Sequence, residues 1–318
     1  MFCPNCTKEM HHWIDAPIDA KRDVETPFNV VVRCDRCGLG AIDPQPQPAE
    51  VAALYDLPSY YTHGESHIRP VASNVFDRIL VHLAWRADRA YPFDPAEIAQ
   101  RLPVGGTVLD IGCGDGETLE AFRALGFQVL GVDPDPRSRA RAAERDLTVL
   151  DGTAERLPAA IDCRRFDLAI MTHALEHCLD PARALANLAA VTAPSGWTYV
   201  EVPNAGCLHF RTFLQCSEMF DAPRHLWFFT PAALEQSARG AGLRVREWRH
   251  AGYTRYFHAS WRTWEREIHA RLRRHSPRLI TRDHTRLRAF GLLLRTALAG
   301  RARKYDSMGV LATPAAAG

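Results

Sequence analysis

Between residues 107 and 202, short runs rich in β-branched residues alternate with longer amphipathic stretches. The runs predict strands over 107–111, 128–132, 148–150, 167–172 and 197–202, and the amphipathic stretches predict helices such as 117–124 and 181–191. Strands that alternate with helices are typical of a parallel sheet covered on both faces. The pattern therefore predicts an α/β fold.

The residues before 107 and after 202 do not show this regular alternation of strands and helices. Residues 49–101 are expected to be mostly helical, because their apolar positions recur at helical spacing around residues 75–87. A further strand is predicted near 244–248, arginine-rich helices near 258–273 and 281–300, and a last strand over 308–311. The predicted segments are 1–48, a helical linker or cap over 49–101, a core over 102–257, a helical insertion over 258–304, and a final strand and tail over 305–318.

The first predicted strand ends with a carboxylate, Asp110, and the turn after it carries three glycines, Gly112, Gly114 and Gly116. Glycines allow a tight turn and a close approach of ligand to backbone. The spacing is not the Gly-x-Gly-x-x-Gly of dinucleotide sites, and the carboxylate would repel a diphosphate. Asp133, after the second strand, can accept hydrogen bonds from ribose hydroxyls. We therefore predict a site for a positively charged nucleoside.

These motifs resemble those of class I S-adenosylmethionine-dependent methyltransferases. Further matches are residues 152–158, the His-x-Leu-Glu-His-x-x-Asp-Pro pattern at 173–181, and residues 224–231. The resemblance implies S-adenosylmethionine as cofactor and a Rossmann-like methyltransferase sheet with helices on both faces. Many relatives carry Asp at the place of Thr153, so the backbone of Ala154 is expected to contact the adenine. The implied cofactor-binding residues are Asp110, Gly112, Cys113, Gly114, Gly116, Asp133, Pro134, Thr153, Ala154, Thr172 and His173.

Two C-x2-C pairs lie near the start of the chain, Cys3 with Cys6 and Cys34 with Cys37. Four thiolates from two tight turns suit tetrahedral Zn2+ and leave no open position for catalysis. The gap between the pairs is longer than usual, so a β-excursion is expected to fold between them. We predict a small structural zinc ribbon over residues 1–48, before the α/β core; the alternative is a redox or incidental set of cysteines.

Three histidines are candidate catalytic residues. Methyl transfer to a hydroxyl or carbon acid requires removal of a proton, and histidine is a suitable base near neutral pH. His173 follows the fourth strand and His225 lies in the loop after the fifth, at the sheet edge where ligands bind in such folds. His177 is four residues after His173, which predicts that both share a helical turn. His173 could instead line the cofactor or be structural.

Residues Tyr60, Tyr61 and His63 are candidates for closing over the site. Packing between domains is the alternative for these side chains.

Composition limits the class of protein. The 318 residues are 47% hydrophobic and 24% charged with a formal net charge of +2, as in an ordinary globular protein. No apolar run is long enough to span a bilayer, and the first residues do not resemble a secretory signal. Nine cysteines without the spacing of a disulfide framework predict a reducing, cytoplasmic setting.

Basic residues concentrate between residues 262 and 304, where the acids are Glu265, Glu267 and Asp283. This excess is typical of a solvated helical face. A surface for a phosphate-bearing acceptor, or a peripheral contact with an anionic membrane, is the alternative.

The expected activity is O- or C-methylation of a small-molecule acceptor, such as a sugar, a polysaccharide precursor or a natural-product intermediate. The alternative is a nucleic-acid or protein methyltransferase that docks through the zinc module and the arginine-rich helices. A nucleic-acid partner is not expected, because Pro203-Asn204 is not the Asn/Asp-Pro-Pro-aromatic motif of methylases that act on DNA amino groups. A binding module without turnover is a third reading, which the intact glycine turn and its two acids disfavour.

Overall fold

The computed structural model describes residues 1–57, 67–161 and 163–315. The chain divides into two compact units, each assembled from segments that are separated in the sequence. The first unit comprises Met1–Tyr91, Pro203–Ala232 and His250–Met308, and the second comprises Pro92–Val202, Ala233–Arg249 and Gly309–Gly318. Tyr60, Tyr61 and His63 lie outside the described residues.

The described residues form the following strands and helices. The strands are β1 (His11–Asp15), β2 (Ile18–Asp19), β3 (Val24–Glu25), β4 (Val30–Arg33), β5 (Gly40–Asp43), β6 (Thr107–Ile111), β7 (Gln128–Val132), β8 (Val149–Leu150), β9 (Phe166–Thr172), β10 (Thr192–Pro203), β11 (Trp227–Phe228), β12 (Leu243–Ala251) and β13 (Ser307–Pro314). The helices are α1 (Pro48–Leu54), α2 (Val75–Ala87), α3 (Pro95–Ala99), α4 (Glu117–Ala124), α5 (Pro136–Glu144), α6 (Pro181–Val191), α7 (Leu208–Phe213), α8 (Pro231–Gly240), α9 (Ala259–His275), α10 (Arg286–Ala297) and α11 (Arg301–Lys304).

A seven-stranded sheet with the order β12-β13-β10-β9-β6-β7-β8 organises the second unit. From β10 to β8, neighbouring strands are parallel. One core cluster joins the sheet to α3 and α4, and a smaller one lies between α4 and α5. The predicted α/β fold is confirmed, and so is the final strand, which lies between β12 and β10.

Local sequence explains where the helices of this unit begin. Asp180 precedes α6 and accepts a hydrogen bond from the backbone N–H of Arg183 at 3.0 Å, and Pro181 occupies the first turn. Asp135 caps α5 in the same way, by accepting from the N–H of Arg137 at 2.9 Å. A capping carboxylate followed by proline satisfies or removes N–H groups that have no partner inside the helix.

A four-stranded sheet with the order β1-β4-β5-β11 lies in the first unit. The β1–β4 pair is antiparallel and is contributed by the residues between the two cysteine pairs, which confirms the predicted β-excursion. Strand β11 pairs antiparallel with β5, a partnership that the sequence did not predict. Phe210, Phe220 and Phe228 pack with Ile14 and Val31 in the core of this part.

The remainder of the first unit is mainly helical. Residues of α2, α9 and α10 form a core that includes Leu80, Trp264 and Leu292. Several carboxylates inside this part pair with basic side chains: Asp77 with Arg262 and Arg286, and Glu265 with His209 and His284. Part of the arginine excess therefore neutralises acids within the same unit. Among the described residues, no helix has the length and apolar character needed to cross a membrane.

Candidate active site

The glycine turn after β6 needs the left-handed backbone that glycine provides. Gly112, Gly114 and Gly116 have φ angles of +77°, +56° and +85°. A Cβ atom at Gly112 would lie 2.6 Å from the Cβ of Ala174, whereas one at Gly114 would meet no described atom within 4 Å. The turn is therefore tightly packed at its first glycine and leaves an open face at its second, where a ligand can approach the backbone.

Asp133 joins this turn to the one after β7. Its Oδ2 accepts a hydrogen bond from the N–H of Gly114 at 2.9 Å, and its Oδ1 accepts from the N–H of Asp135 at 2.9 Å. Arg139 donates to the carbonyl oxygens of Asp133 and Pro134, at 2.9 and 2.8 Å. Burial raises the pKa of the Asp133 carboxyl. These bonds fix Asp133 at the mouth of the glycine turn.

Asp110 is a buried carboxylate near the end of β6, just before this turn. Its Oδ1 has no hydrogen-bond partner among the described residues. Burial, and secondarily the charge of Asp133, raise the pKa of the Asp110 carboxyl to about 7. A buried polar atom without a partner is costly. A positively charged or hydrogen-bond-donating ligand would satisfy it, so these residues fit an adenosyl donor that carries an ammonium and a sulfonium.

We expect Asp110 to give the ligand-free protein a distinctive dependence of stability on pH. Its folded-state pKa of about 7 lies above its usual value of 3.8, so the folded chain binds this proton more tightly than the unfolded chain. The contribution of this proton to the free energy of unfolding is present at low pH. It declines as the pH rises from about 4 to about 7, by up to about 1.4 kcal/mol per pH unit.

Urea unfolding at several pH values checks this expectation. The variant Asp110→Asn should lose that decline, because it carries no titrating proton at this position. Asp115→Asn is the control: Asp115 lies on the same turn but is paired with Arg145, and the decline should persist. Parallel curves for the unaltered protein and Asp110→Asn would contradict the expectation.

The segment after β8 is held against the segment after β9. The carbonyl oxygen of Ala154 accepts a hydrogen bond from Asn187 on α6 at 2.8 Å, and Glu155 Oε1 accepts from the N–H of Leu179 at 2.7 Å. Thr153 Oγ1 accepts from the N–H of Arg156 at 3.2 Å. Thr153 and Ala154 are therefore held on a fixed loop, as a wall for an adenine requires.

His173 lies directly after β9 and is flanked by two carboxylates. Its Nδ1 is 3.3 Å from Glu176 Oε1, and its Nε2 is 3.5 Å from Glu201 Oε1. These contacts outweigh the cost of burial and raise the pKa of the imidazole to about 10. A raised pKa favours the protonated form of this ring at neutral pH.

Glu201 is a site residue that the sequence reasoning missed. Strand β10 pairs in parallel with β9 so that Glu201 lies opposite Thr172, the residue before His173. Tyr199 donates a hydrogen bond to Glu201 Oε2. Because the carboxyl ends of parallel strands meet at one edge of a sheet, an acid near the end of the fifth predicted strand was the available signal.

One expectation about the histidines is wrong. His173 has a φ of +51° and is not helical, and a 3-10 helix covers only Leu175–His177. His173 and His177 therefore do not share a helical turn, because the chain passes through a left-handed residue before the short helix begins.

His225 belongs to the first unit, where it is buried. Its Nδ1 donates to the carbonyl oxygen of Met219 at 3.1 Å. This contact favours the tautomer in which Nε2 accepts a proton. The catalytic roles of His173, His177 and His225 stay predictions.

The four cysteines of the first unit converge as predicted. Cys3, Cys6, Cys34 and Cys37 are buried, and their Sγ atoms lie within 4.8 Å of one another. The Sγ atoms of Cys3 and Cys37 are 3.6 Å apart, close to the roughly 3.8 Å between two sulfurs of a tetrahedral zinc site with Zn–S bonds of about 2.3 Å. Thr230 donates to the carbonyl oxygen of Cys37 at 2.8 Å and braces the second pair. This cluster is consistent with zinc.

Comparisons with known proteins agree with this geometry. Residues 84–247 match a family described as a methyltransferase domain. The ubiquinone biosynthesis O-methyltransferase of Rhodopseudomonas palustris strain HaA2 is 30% identical over 219 residues, which cover 65% of this chain and 85% of that protein. The enzyme of the same name from strain BisB5 is 34% identical over 152 residues, 45% of this chain and 60% of that protein.

This chain also matches a solved structure. It is the 1,6-didemethyltoxoflavin-N1-methyltransferase of Burkholderia thailandensis, with bound 1,6-didemethyltoxoflavin and S-adenosylhomocysteine. It is 16% identical, with a TM-score of 0.47, over 89% of this chain and 97% of that one.

The seven-stranded sheet and the family match define a class I S-adenosylmethionine-dependent methyltransferase. The chain belongs to this family, whose members use S-adenosylmethionine as methyl donor.

Proposed function

We propose that this enzyme transfers a methyl group from S-adenosylmethionine to an oxygen or carbon atom of a small-molecule acceptor. The observation that carries the cofactor assignment is the buried, unsatisfied Oδ1 of Asp110 beside the open face of Gly114. The relatives named for ubiquinone biosynthesis support a small-molecule acceptor and O-methylation. Sugars, polysaccharide precursors and natural-product intermediates stay within this proposal, with or without a phosphate group.

The cofactor site is assigned to residues of the second unit. Asp110 holds the cationic end of the cofactor, and Asp133 accepts hydrogen bonds from the ribose. The turn from Gly112 through Cys113 and Gly114 to Gly116 supplies backbone contacts, and Pro134, Thr153, Ala154, Thr172 and His173 form the remaining walls. When bound, S-adenosylmethionine supplies a methyl carbon activated by a sulfonium, together with its leaving group.

The protein must orient the acceptor and remove its proton. The neighbours of His173 keep this ring charged, so it positions negative or polar groups. His225 stays a candidate base, and the bond from its Nδ1 to the carbonyl oxygen of Met219 fixes the orientation of its ring. His177 is assigned to the wall of the site.

The four-cysteine cluster is proposed to bind one structural Zn2+. Four thiolates fill a tetrahedral shell, so this ion would organise the β1–β5 region and take no part in methyl transfer. None of the nine cysteines, all of which the structure describes, forms a disulfide, which supports a reducing, cytoplasmic setting.

Two measurements test the proposed activity. Calorimetry should detect S-adenosylmethionine binding to the purified chain. A radiolabelled cofactor should then transfer its methyl group to at least one member of a panel of quinol, nucleotide-sugar and polyketide acceptors, with release of S-adenosylhomocysteine. Absence of cofactor binding would overturn the assignment. Transfer to tRNA or a protein, and to no small molecule, would overturn the acceptor class.

The charge of His173 has its own test. We expect Glu201→Gln to lower the pKa of His173, because the variant replaces one of the two flanking carboxylates by a neutral amide. A histidine NMR titration measures this pKa directly. Glu144→Gln removes an exposed carboxylate at the end of α5 and should leave it unchanged. An identical titration for the unaltered protein and Glu201→Gln would show that Glu201 does not act on this ring.

A further inference from the structure

Helix α10 exposes a stripe of large apolar side chains. Leu287 and Leu294 are 80% and 63% exposed, and Phe290 between them is also exposed; Leu298, the first residue after the helix, is 98% exposed. Their spacing of three and four residues places them on one side of the helix. The buried residues of α10, Ala289, Leu292, Leu293 and Thr296, follow a different set of positions. The helix therefore presents one apolar side to its own core and another to solvent.

The exposed charges of α10 all have one sign. Arg286, Arg288 and Arg295 are exposed, and the helix contains no acid. Arg288 and Arg295 are seven residues apart, so they lie two turns apart along one flank of the stripe. Arg286 is already paired with Asp77. Arg295 makes no ion pair with any residue that the structure describes.

Helix α2, which packs against α10, has the same character. Val75, Phe76, Ile79 and Leu83 are exposed. The acid of this helix, Asp77, is buried and paired with Arg262 and Arg286. The exposed charged side chains of α2 are Arg78 and Arg86. The solvent-facing sides of both helices are therefore apolar and basic, without an exposed carboxylate.

We propose that the exposed sides of α2 and α10, here called the α2–α10 surface, bind the interface of an anionic phospholipid bilayer. Leucine and phenylalanine side chains can enter the boundary between head groups and acyl chains, while flanking arginines contact lipid phosphates. Neither helix spans the membrane, so this attachment is peripheral.

The sign of the charge argues against a second copy of this chain as the occupant. A symmetric contact through α10 would bring the arginines of one copy near those of the other, without exposed acids on α2 or α10 to offset them. The apolar stripe argues against nucleic acid as the partner, because leucine side chains make no favourable interaction with a charged phosphate backbone. An anionic bilayer offers both an apolar and a negatively charged layer.

Vesicle sedimentation with the full chain tests this proposal independently of methyl transfer. The vesicles contain either phosphatidylcholine alone or phosphatidylcholine with phosphatidylglycerol. The unaltered protein should sediment with the anionic vesicles and much less with the neutral ones, and added salt should weaken binding. The double variant Leu294→Asp/Leu298→Asp and the double variant Arg288→Glu/Arg295→Glu should each reduce partitioning by about tenfold or more.

Matched controls come from the second unit. Val104→Asp alters an equally exposed apolar residue, and Arg137→Glu an exposed arginine; neither should change partitioning. Circular dichroism verifies that each variant is folded. The proposal is overturned if the unaltered protein does not sediment with anionic vesicles, or if the α10 variants and the controls partition equally. It is also overturned if sedimentation velocity shows a dimer that Leu294→Asp dissociates, or if the surface binds tRNA and not vesicles.

Discussion

Replacing Asp133 by alanine should lower the affinity for S-adenosylmethionine by about 100-fold or more. The variant removes the proposed contact with the ribose and also the bond to the N–H of Gly114 that holds the glycine turn. Hydrogen bonds from the two ribose hydroxyls to a charged group, each worth roughly 1.5–3 kcal/mol, account for a loss of this size. The bond to Gly114 contributes only by keeping the turn in place. Calorimetry with the purified variant measures the affinity.

The control for this experiment is Asp151→Ala. Asp151 follows the neighbouring strand β8 but is largely exposed and pairs with Arg139, so its removal should leave the affinity within about twofold. Thermal unfolding of both variants shows whether a lower affinity reflects the loss of the cofactor contact or the loss of the folded structure. Undiminished cofactor binding by folded Asp133→Ala would refute the assigned role of this carboxylate.

Replacing Cys34 by serine should remove the bound zinc and destabilise the β1–β5 region. Cys34 is fully buried, and three thiolates with a buried hydroxyl cannot reproduce a four-thiolate shell. Because metal binding and folding are coupled in small sites of this type, the free energy of unfolding should fall by roughly 4 kcal/mol or more. Metal analysis should find about one zinc per unaltered chain and almost none in the variant.

Cys163→Ser provides the matched control, since Cys163 is an exposed thiol of the second unit. This variant should keep the zinc and the stability of the unaltered chain. Chelator treatment should lower the stability of the unaltered protein toward that of Cys34→Ser. Zinc retained at full occupancy in Cys34→Ser would exclude the four-cysteine site.

The strands and helices of the α/β core were predictable because the local sequence there favours the same secondary structure that tertiary packing requires. Strands β6 and β7 and helices α4 and α6 have the bounds that hydrophobic periodicity predicts. Glycines with positive φ end β6, and a capping Asp with a following Pro begins α6. Each boundary is determined by residues within a few positions of it, so one sequence suffices to locate it.

Other features depend on partners that are distant in sequence. The two residues of β11 carry too weak a strand signal to reveal that they extend the sheet of β5. The carboxylates around His173 come from two segments, and only the parallel register of β9 and β10 brings Glu201 to it. The position of Asp110 was predictable from the turn motif, but its unsatisfied oxygen depends on three-dimensional burial.

The place of β13 in the large sheet has a consequence for biosynthesis. This strand lies between β12 and β10, and Thr198 Oγ1 donates to the carbonyl oxygen of Ala312, 114 residues further along the chain. A nascent polypeptide that has emerged without residues 307–314 exposes two hydrogen-bonding strand edges at the gap, and such edges promote aggregation. Insertion of this late segment should therefore be slow, and ribosome-bound intermediates should depend on chaperones until it is complete.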